Sequence, residues 1–351
     1  MACKLLFLSL LLQTYWFALS LCHTKVPAVL VFGNSTVDTG NNNYVATMLR
    51  ANHIPYGLNF MGGKATGRFS DGRLVPDLVA SALGIKEAVP PFLDPKLSDE
   101  DIRTGVCFAS AGSGYDDMTI VATKAIPVLK QTIMLKQYLE RLRMIVGEKE
   151  ASNITNNALI IISAGTNDLV LNFYDIPTRR LEYDINGYQD FLLGKAKSLI
   201  QDIYNQGGRK FIVSGLGPIG CVPLQRNINF VDRSCRKKEN SDVQVYNSKL
   251  QKLLTQLQDS LPGTRFGYAD IFNITNDMIS YPSKYGFEET TRGCCGIGYV
   301  EMGPSCSAMS LSLSCTDPSK FMFWDSVHPS QAVSKVVTKK LMDDVVLGLY
   351  H

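Results

Sequence analysis

Ser35 stands just past an apolar run, in Val31-Phe32-Gly33-Asn34-Ser35-Thr36-Val37-Asp38-Thr39-Gly40. A small hydroxyl residue at the point where a strand turns into the next element exposes its Oγ and leaves backbone N–H groups free nearby, as a serine nucleophile requires. The same position also suits an ordinary turn or N-cap serine, and the G-x-S-x-G elbow of α/β-hydrolases is absent. A nucleophilic serine needs a base, and the chain has four histidines: His23, His53, His328 and His351. His23 borders an apolar leader, His351 is the final residue, and His53 sits in a polar loop with no acid at a suggestive spacing. His328 occupies Phe323-Trp324-Asp325-Ser326-Val327-His328-Pro329. An acid three residues upstream in one turn reaches the imidazole, fixes its tautomer and stabilises the imidazolium formed when Ser35 gives up its proton. Pro329 holds His328 extended, and Ser330 is placed to cap a final helix. By itself D-x-x-H is a weak pattern, met equally in surface Asp/His pairs.

A tetrahedral intermediate also needs donors, and two segments offer them. Phe108-Ala109-Ser110-Ala111-Gly112-Ser113-Gly114 has the small residues that let backbone amides approach a ligand. Ser163-Ala164-Gly165-Thr166-Asn167-Asp168 follows an apolar run and carries an amide side chain at its tip. Taken singly, each matches an ordinary Gly-rich or Asx turn. Asp38, Asp71 and Asp168 beside these motifs are read as turn or cap residues. Gly215-Leu216-Gly217-Pro218-Ile219-Gly220 formally matches G-x-G-x-x-G, but Pro218 and Pro223 oppose an opening helix and no acid sits on a second strand about 20 residues on, so a dinucleotide site is excluded.

The elements that must position these residues follow from periodicity. Short apolar runs at Ala28 to Phe32, Ala158 to Ser163, Lys210 to Ser214 and Phe266 to Ala269 predict buried strands. Helical spacing predicts helices over Ile133 to Val146, Tyr188 to Tyr204 and Tyr246 to Leu261, and a final one through Val333, Val336, Val337, Leu341 and Val345. Near-continuous apolar strands alternating with helices imply an α/β fold, a three-layer sandwich around a parallel sheet. Residues 52 to 76, 86 to 104 and 281 to 320 are expected to be loops, and loops at the carboxyl ends of the strands build the site in such folds.

Lys4 followed by the apolar run Leu5 to Leu21 has the layout of a secretory signal peptide over residues 1 to 23, leaving one domain from 24 to 351 and a secreted, extracellular protein without stable membrane insertion. Net charge is +3 from 35 basic and 32 acidic residues, and the short run Arg236, Lys237, Lys238 reads as a solvated face, so nucleic acid is not an expected partner. Of nine cysteines, Cys3 and Cys22 belong to the leader. Cys107, in an apolar stretch, is the expected free thiol. Cys221 and Cys235 are expected to close one loop, and Cys294, Cys295, Cys306 and Cys315 form a second group whose pairing is open. No C-x-x-C pair suggests zinc, and neither metal nor cofactor is called for. N-x-[ST] occurs at Asn34, Asn153 and Asn273; the last two are plausible surface glycosylation sites, and Asn34 is expected unmodified.

Four ordered blocks together resemble the GDSL esterase/lipases of the SGNH-hydrolase superfamily, the plant branch in particular. They are Gly33-Asn34-Ser35 with Asp38 to Asn43; Phe108 to Gly114; Gly165-Thr166-Asn167-Asp168; and Trp324 to Pro329. Thr66 to Arg73 and Arg292-Gly293-Cys294-Cys295-Gly296 match the plant branch as well. The resemblance implies a flavodoxin-like fold, Ser35 as nucleophile, His328 as base and Asp325 as orienting acid. It further implies an oxyanion hole from the Ser35 amide, the Gly112 amide and the Asn167 side chain, with lipid, cutin-like or acylated carbohydrate esters as substrates. The family usually has Asp where this chain has Asn34, and often Asn where it has Cys107. Asn keeps the size and one acceptor of Asp, so the expected activity is tuned rather than abolished. Acyl transfer through the same intermediate, and a binding protein weakened by Asn34, are the alternatives.

Overall fold

In a computed structural model of the chain, residues 26–229 and 231–350 are described; the leader with His23, and His351, lie outside them. Four parallel strands form the main sheet in the order β1 (Val29–Gly33), β2 (Leu159–Ser163), β3 (Lys210–Ser214) and β4 (Arg265–Ala269). The segment around Cys107 bridges in parallel to Val31 on the free side of β1, with Phe108 N–H donating to the Val31 carbonyl at 2.7 Å. Counting that edge, the chain order across the sheet is 2-1-3-4-5, the flavodoxin-like order, whose switch point falls at the carboxyl end of the first strand.

Among the described residues the α-helices of eight residues or more are α1 (Val75–Ala82), α2 (Gln131–Val146), α3 (Glu148–Asn157), α4 (Ile185–Asn205), α5 (Lys237–Ser260), α6 (Ile271–Ser280) and α7 (Gln331–Leu341). Alternation along the strands assigns them to layers. Leu30, Phe32, Ile160, Ile162, Phe211 and Val213 pack against α2 to α5. Val29, Val31, Leu159, Ile161 and Ile212 face α1, α6 and α7. A smaller cluster, with Tyr56, Phe69 and Trp324 among the cysteines of the second group, lies under the loops at the carboxyl end.

The expected strands are found within a residue, and α5 begins at Lys237, ahead of the expected Tyr246. The 281–320 segment, expected as a loop, contains β5 (Glu289–Gly293), which pairs in parallel with β6 (Phe321–Phe323). Its sequence Glu-Thr-Thr-Arg-Gly has no apolar alternation, because much of the strand is solvated. Within 52–76 and 86–104, α1 starts at Val75 and a short helix spans Asp99–Thr104. Among the described residues the disulfides are Cys221–Cys235, Cys294–Cys315 and Cys295–Cys306, and Cys107 is free and buried. Among the described residues no helix is long and apolar enough to cross a membrane.

Candidate active site

Gly33 closes β1 at φ 139°, and a Cβ there would lie 1.9 Å from the Ser163 carbonyl oxygen. Only glycine lets the two strand ends come so close. Its N–H donates to Gln131 Oε1 at 2.8 Å and its carbonyl accepts from Gln131 Nε2 at 2.9 Å, so α2 clamps the strand end. The next turn is organised by Asn34, whose Oδ1 accepts from the Thr36 N–H at 3.1 Å and the Thr36 hydroxyl at 2.8 Å. The amide thus does the acceptor work available to an Asp at this position. Asn34 itself is buried. The Ser35 N–H takes no part in these turn bonds.

Asp38 is wholly buried and accepts from the N–H groups of Gly40, Asn41 and Ala111 at 2.8, 2.8 and 2.9 Å, joining the serine turn to the 108–114 loop. Burial raises its pKa to about 6 despite those donors. Asp168 does the same for the 115–119 turn, accepting from the Tyr115 and Asp116 N–H groups and the Thr119 hydroxyl, and burial again raises its pKa to about 6. Asp71 accepts from the Gln331 N–H at 2.7 Å at the start of α7. All three acids hold loops, as read from the sequence.

The loop between β6 and α7 brings His328 to Ser35, with Nε2 2.8 Å from Oγ. Nδ1 lies 2.8 Å from Asp325 Oδ2 and 3.0 Å from Oδ1. A carboxylate accepts, so Nδ1 carries the proton and Nε2 is left to accept from the serine hydroxyl. Asp325 Oδ1 also accepts from the N–H groups of Val327 and His328 at 2.8 and 2.7 Å, which curls the D-x-x-H turn around its own acid. Ser330 caps α7 through the Val333 N–H, as expected. The exposures of Ser35, Asp325 and His328 are 7%, 0% and 3%, so the three form a shielded but open-mouthed row.

One partner of this row is not legible in the sequence. The Tyr56 hydroxyl donates to Asp325 Oδ2 at 2.7 Å and accepts from the Gly303 N–H at 2.7 Å. Gly303 sits in the loop closed by Cys295–Cys306. Burial, then the neighbouring Asp325, pushes the Tyr56 pKa well up, which keeps the phenol a donor. Phe69 lies against the His328 ring, 4.8 Å between centroids. Tyr56 and Asp325 are too far apart in sequence for spacing to betray the pair.

Asn167 lines the same cleft as Ser35, and its Nδ2 donates to the Ser113 carbonyl at 2.8 Å, leaving one amide hydrogen over. Gly112, at φ 82°, has its carbonyl bonded to the Thr123 hydroxyl and is not among the residues lining that cleft. It joins Asn167 through the shared 110–114 loop. Of the remaining histidines, His53 bonds to the backbone of Arg50 and Ile54 and packs edge-on to Tyr56. Gly215 to Ile219 line the cleft, and the segment runs through coil into a 3-10 turn at Ile219–Cys221 and one short helical turn at Pro223–Arg226, opening no long helix. Arg236 and Lys238 pair with Glu239 and Asp242. Among the described residues no cluster of side chains could hold a metal ion.

The model of the GDSL-like lipase/acylhydrolase family matches residues 29–341. One GDSL esterase/lipase of Arabidopsis thaliana is 52% identical over 329 residues, covering 93% of this chain and 91% of its own length. A second from the same plant is 53% identical over 313 residues, covering 88% and 87%, and a third is 50% identical over 322 residues, covering 91% and 89%.

Proposed function

This chain belongs to the GDSL-like lipase/acylhydrolase family and is a carboxylic ester hydrolase; on that premise we propose that it works through an acyl-enzyme on Ser35. The observation that carries the reading is the unbroken hydrogen-bonded row from Ser35 through His328 to Asp325. Ser35 Oγ attacks the ester carbonyl as its proton passes to His328 Nε2, and Asp325 stabilises the imidazolium. The imidazolium protonates the departing alcohol; His328 then takes a proton from water as it attacks the acyl carbon and returns it to Ser35 Oγ as the acyl–Oγ bond breaks and the acid leaves. The oxyanion would be held by the N–H groups of Ser35 and Gly112 and the spare amide hydrogen of Asn167. Each such donor is worth about 100- to 1000-fold in rate where removal has been measured. Lipid, cutin-like or acylated carbohydrate esters are the substrate classes.

We read the chain further as a secreted protein, with a signal peptide over 1–23 and one catalytic domain from 24 to 351. Supporting this are three disulfides, which form and persist in oxidising compartments. Asn153 and Asn273 are both exposed and available for glycans. The decisive experiment treats the protein with a fluorophosphonate and maps the adduct by mass spectrometry while p-nitrophenyl ester hydrolysis is followed. A single adduct on Ser35 that abolishes turnover is expected. Turnover that survives without a Ser35 adduct would overturn the acyl-enzyme reading. Recovery of the protein from culture medium with an amino terminus near residue 24 would test secretion.

A further inference from the structure

The cleft that Ser35 and His328 line, about 200 Å³ in all, continues below them as an apolar chamber between the sheet and α7. Its mouth is polar and its interior is not. Ser163 and Ser214 end β2 and β3 at the mouth, and Ile161 and Ile212 follow on the same face, about 7 Å deeper at two residues of strand rise. On the other wall Val333, Val337 and Leu341 occupy successive turns of α7, which leads away from His328, so the lining runs about 12 Å along the helix. A chamber of this length and small volume, continuous with the nucleophile, suits one unbranched hydrocarbon chain.

We propose that this chamber is the acyl-chain pocket and that the preferred substrates are esters of straight-chain acids of about eight carbons, an apolar cavity of about 150 Å³ being known to hold the six carbons of benzene. The assignment rests on the serine esterase reading above. Acyl and alcohol portions are told apart by what each must do. The alcohol has to leave and water has to replace it, so its side of the carbonyl faces the open mouth, whereas the acyl chain stays attached to Ser35 through both steps and can occupy the apolar depth. At about 200 Å³ the whole cleft is below the roughly 300–1,000 Å³ of pockets for drug-sized ligands, so its depth has no room for a bulky, branched acyl group.

The test compares ethyl octanoate with octyl acetate, and p-nitrophenyl esters from acetate to palmitate. The expected kcat/KM rises about fourfold per added methylene up to about eight carbons and then stops rising. Ethyl octanoate is expected to exceed octyl acetate at least tenfold. Val337→Phe should lower the octanoate-to-acetate ratio at least tenfold, and Leu341→Ala should move the optimum to longer chains. A palmitate optimum, equal rates for the two ethyl and octyl esters, or an unaltered ratio in folded Val337→Phe overturns the proposal. Thermal unfolding of Ser35→Ala supplies a readout without chemistry: octanoate should raise Tm and acetate should not. If octanoate stabilises Ser35→Ala while the wild type cleaves no ester, the esterase reading fails and the pocket stands. If Ser35 cleaves esters with no chain preference, the pocket fails alone.

Discussion

Ser35 and His328 meet at 2.8 Å from supports of different kinds. The serine is presented by the sheet itself: a wholly buried strand, a glycine pressed on the neighbouring strand, a clamp from Gln131 and the buried acceptor Asp38. The histidine and its acid hang in irregular cover. Cys294 and Cys295 N–H groups donate to the Phe323 and Trp324 carbonyls, the Ser326 N–H donates to the Glu301 carbonyl, and Tyr56 bridges Asp325 to Gly303. A strand end is rigid because the central sheet is. A loop becomes rigid only through cross-links and buried hydrogen bonds, and here two disulfides sit beside the acid. One half of the proposed catalytic row is thus held by the fold and the other by its covering.

The largest effect should come from the strand-held half. Ser35→Ala is expected to lower kcat by about 10⁴-fold or more with the thermal midpoint nearly unchanged, since the hydroxyl makes no bond that the sheet needs. Residual turnover near wild type would remove the serine from the chemistry. Opening the Cys295–Cys306 link with paired serine substitutions should cost about 2–4 kcal/mol in urea unfolding. It should also lower kcat more than it changes KM, because Gly303 then loosens from Tyr56. An unchanged kcat in the folded variant would show that the covering does not position the acid.

Tyr56→Phe isolates that link. It removes one donor to Asp325 and leaves the Gly303 N–H without its acceptor, so about 1–3 kcal/mol of stability and about tenfold in kcat are expected to go, with KM nearly constant. A fall in stability alone would make Tyr56 a packing residue.

The strand-held half carries a pH response of its own. Asp38 has a folded pKa of about 6 against an ordinary 3.8. Its contribution to stability is therefore full below about 3.8 and is lost as pH rises through about 6. Between pH 5 and 7 the wild type should lose on the order of 1 kcal/mol more than Asp38→Asn in urea unfolding. Equal slopes would contradict the raised pKa. The smallest effect is expected from Asn34→Asp, within about threefold in kcat/KM, because Asn34 Oδ1 already accepts from both Thr36 donors. A silent wild type revived by this change would instead identify the chain as a binding protein weakened at the turn.

Much of this was legible in the residues alone. The central strands announced themselves because they are short apolar runs buried on two faces, and β4, half-buried at the sheet edge, because it keeps such a run; Asp325 and His328 did so because both lie in one turn whose spacing is the geometry. Four histidines left few bases to choose from. Helix α3, with its run of polar residues, and β5, with no alternation, carried no such signal, for their burial is partial and their stability comes from neighbours.

What the sequence determined by itself is therefore local: an apolar strand ending in a small hydroxyl residue, an acid and base in one turn, a free thiol in an apolar stretch and a pair of cysteines closing a short loop. The tertiary structure decided what depends on distant segments meeting. It chose Cys294–Cys315 and Cys295–Cys306 among the possible pairings, brought Tyr56 to Asp325, turned Asn34 into the acceptor of its own turn, and left a chamber between the sheet and α7. Periodicity reports which face of an element is apolar. Whether two apolar faces close completely or leave room for a ligand is set by how helices pack, and that information is spread over residues far apart in the chain.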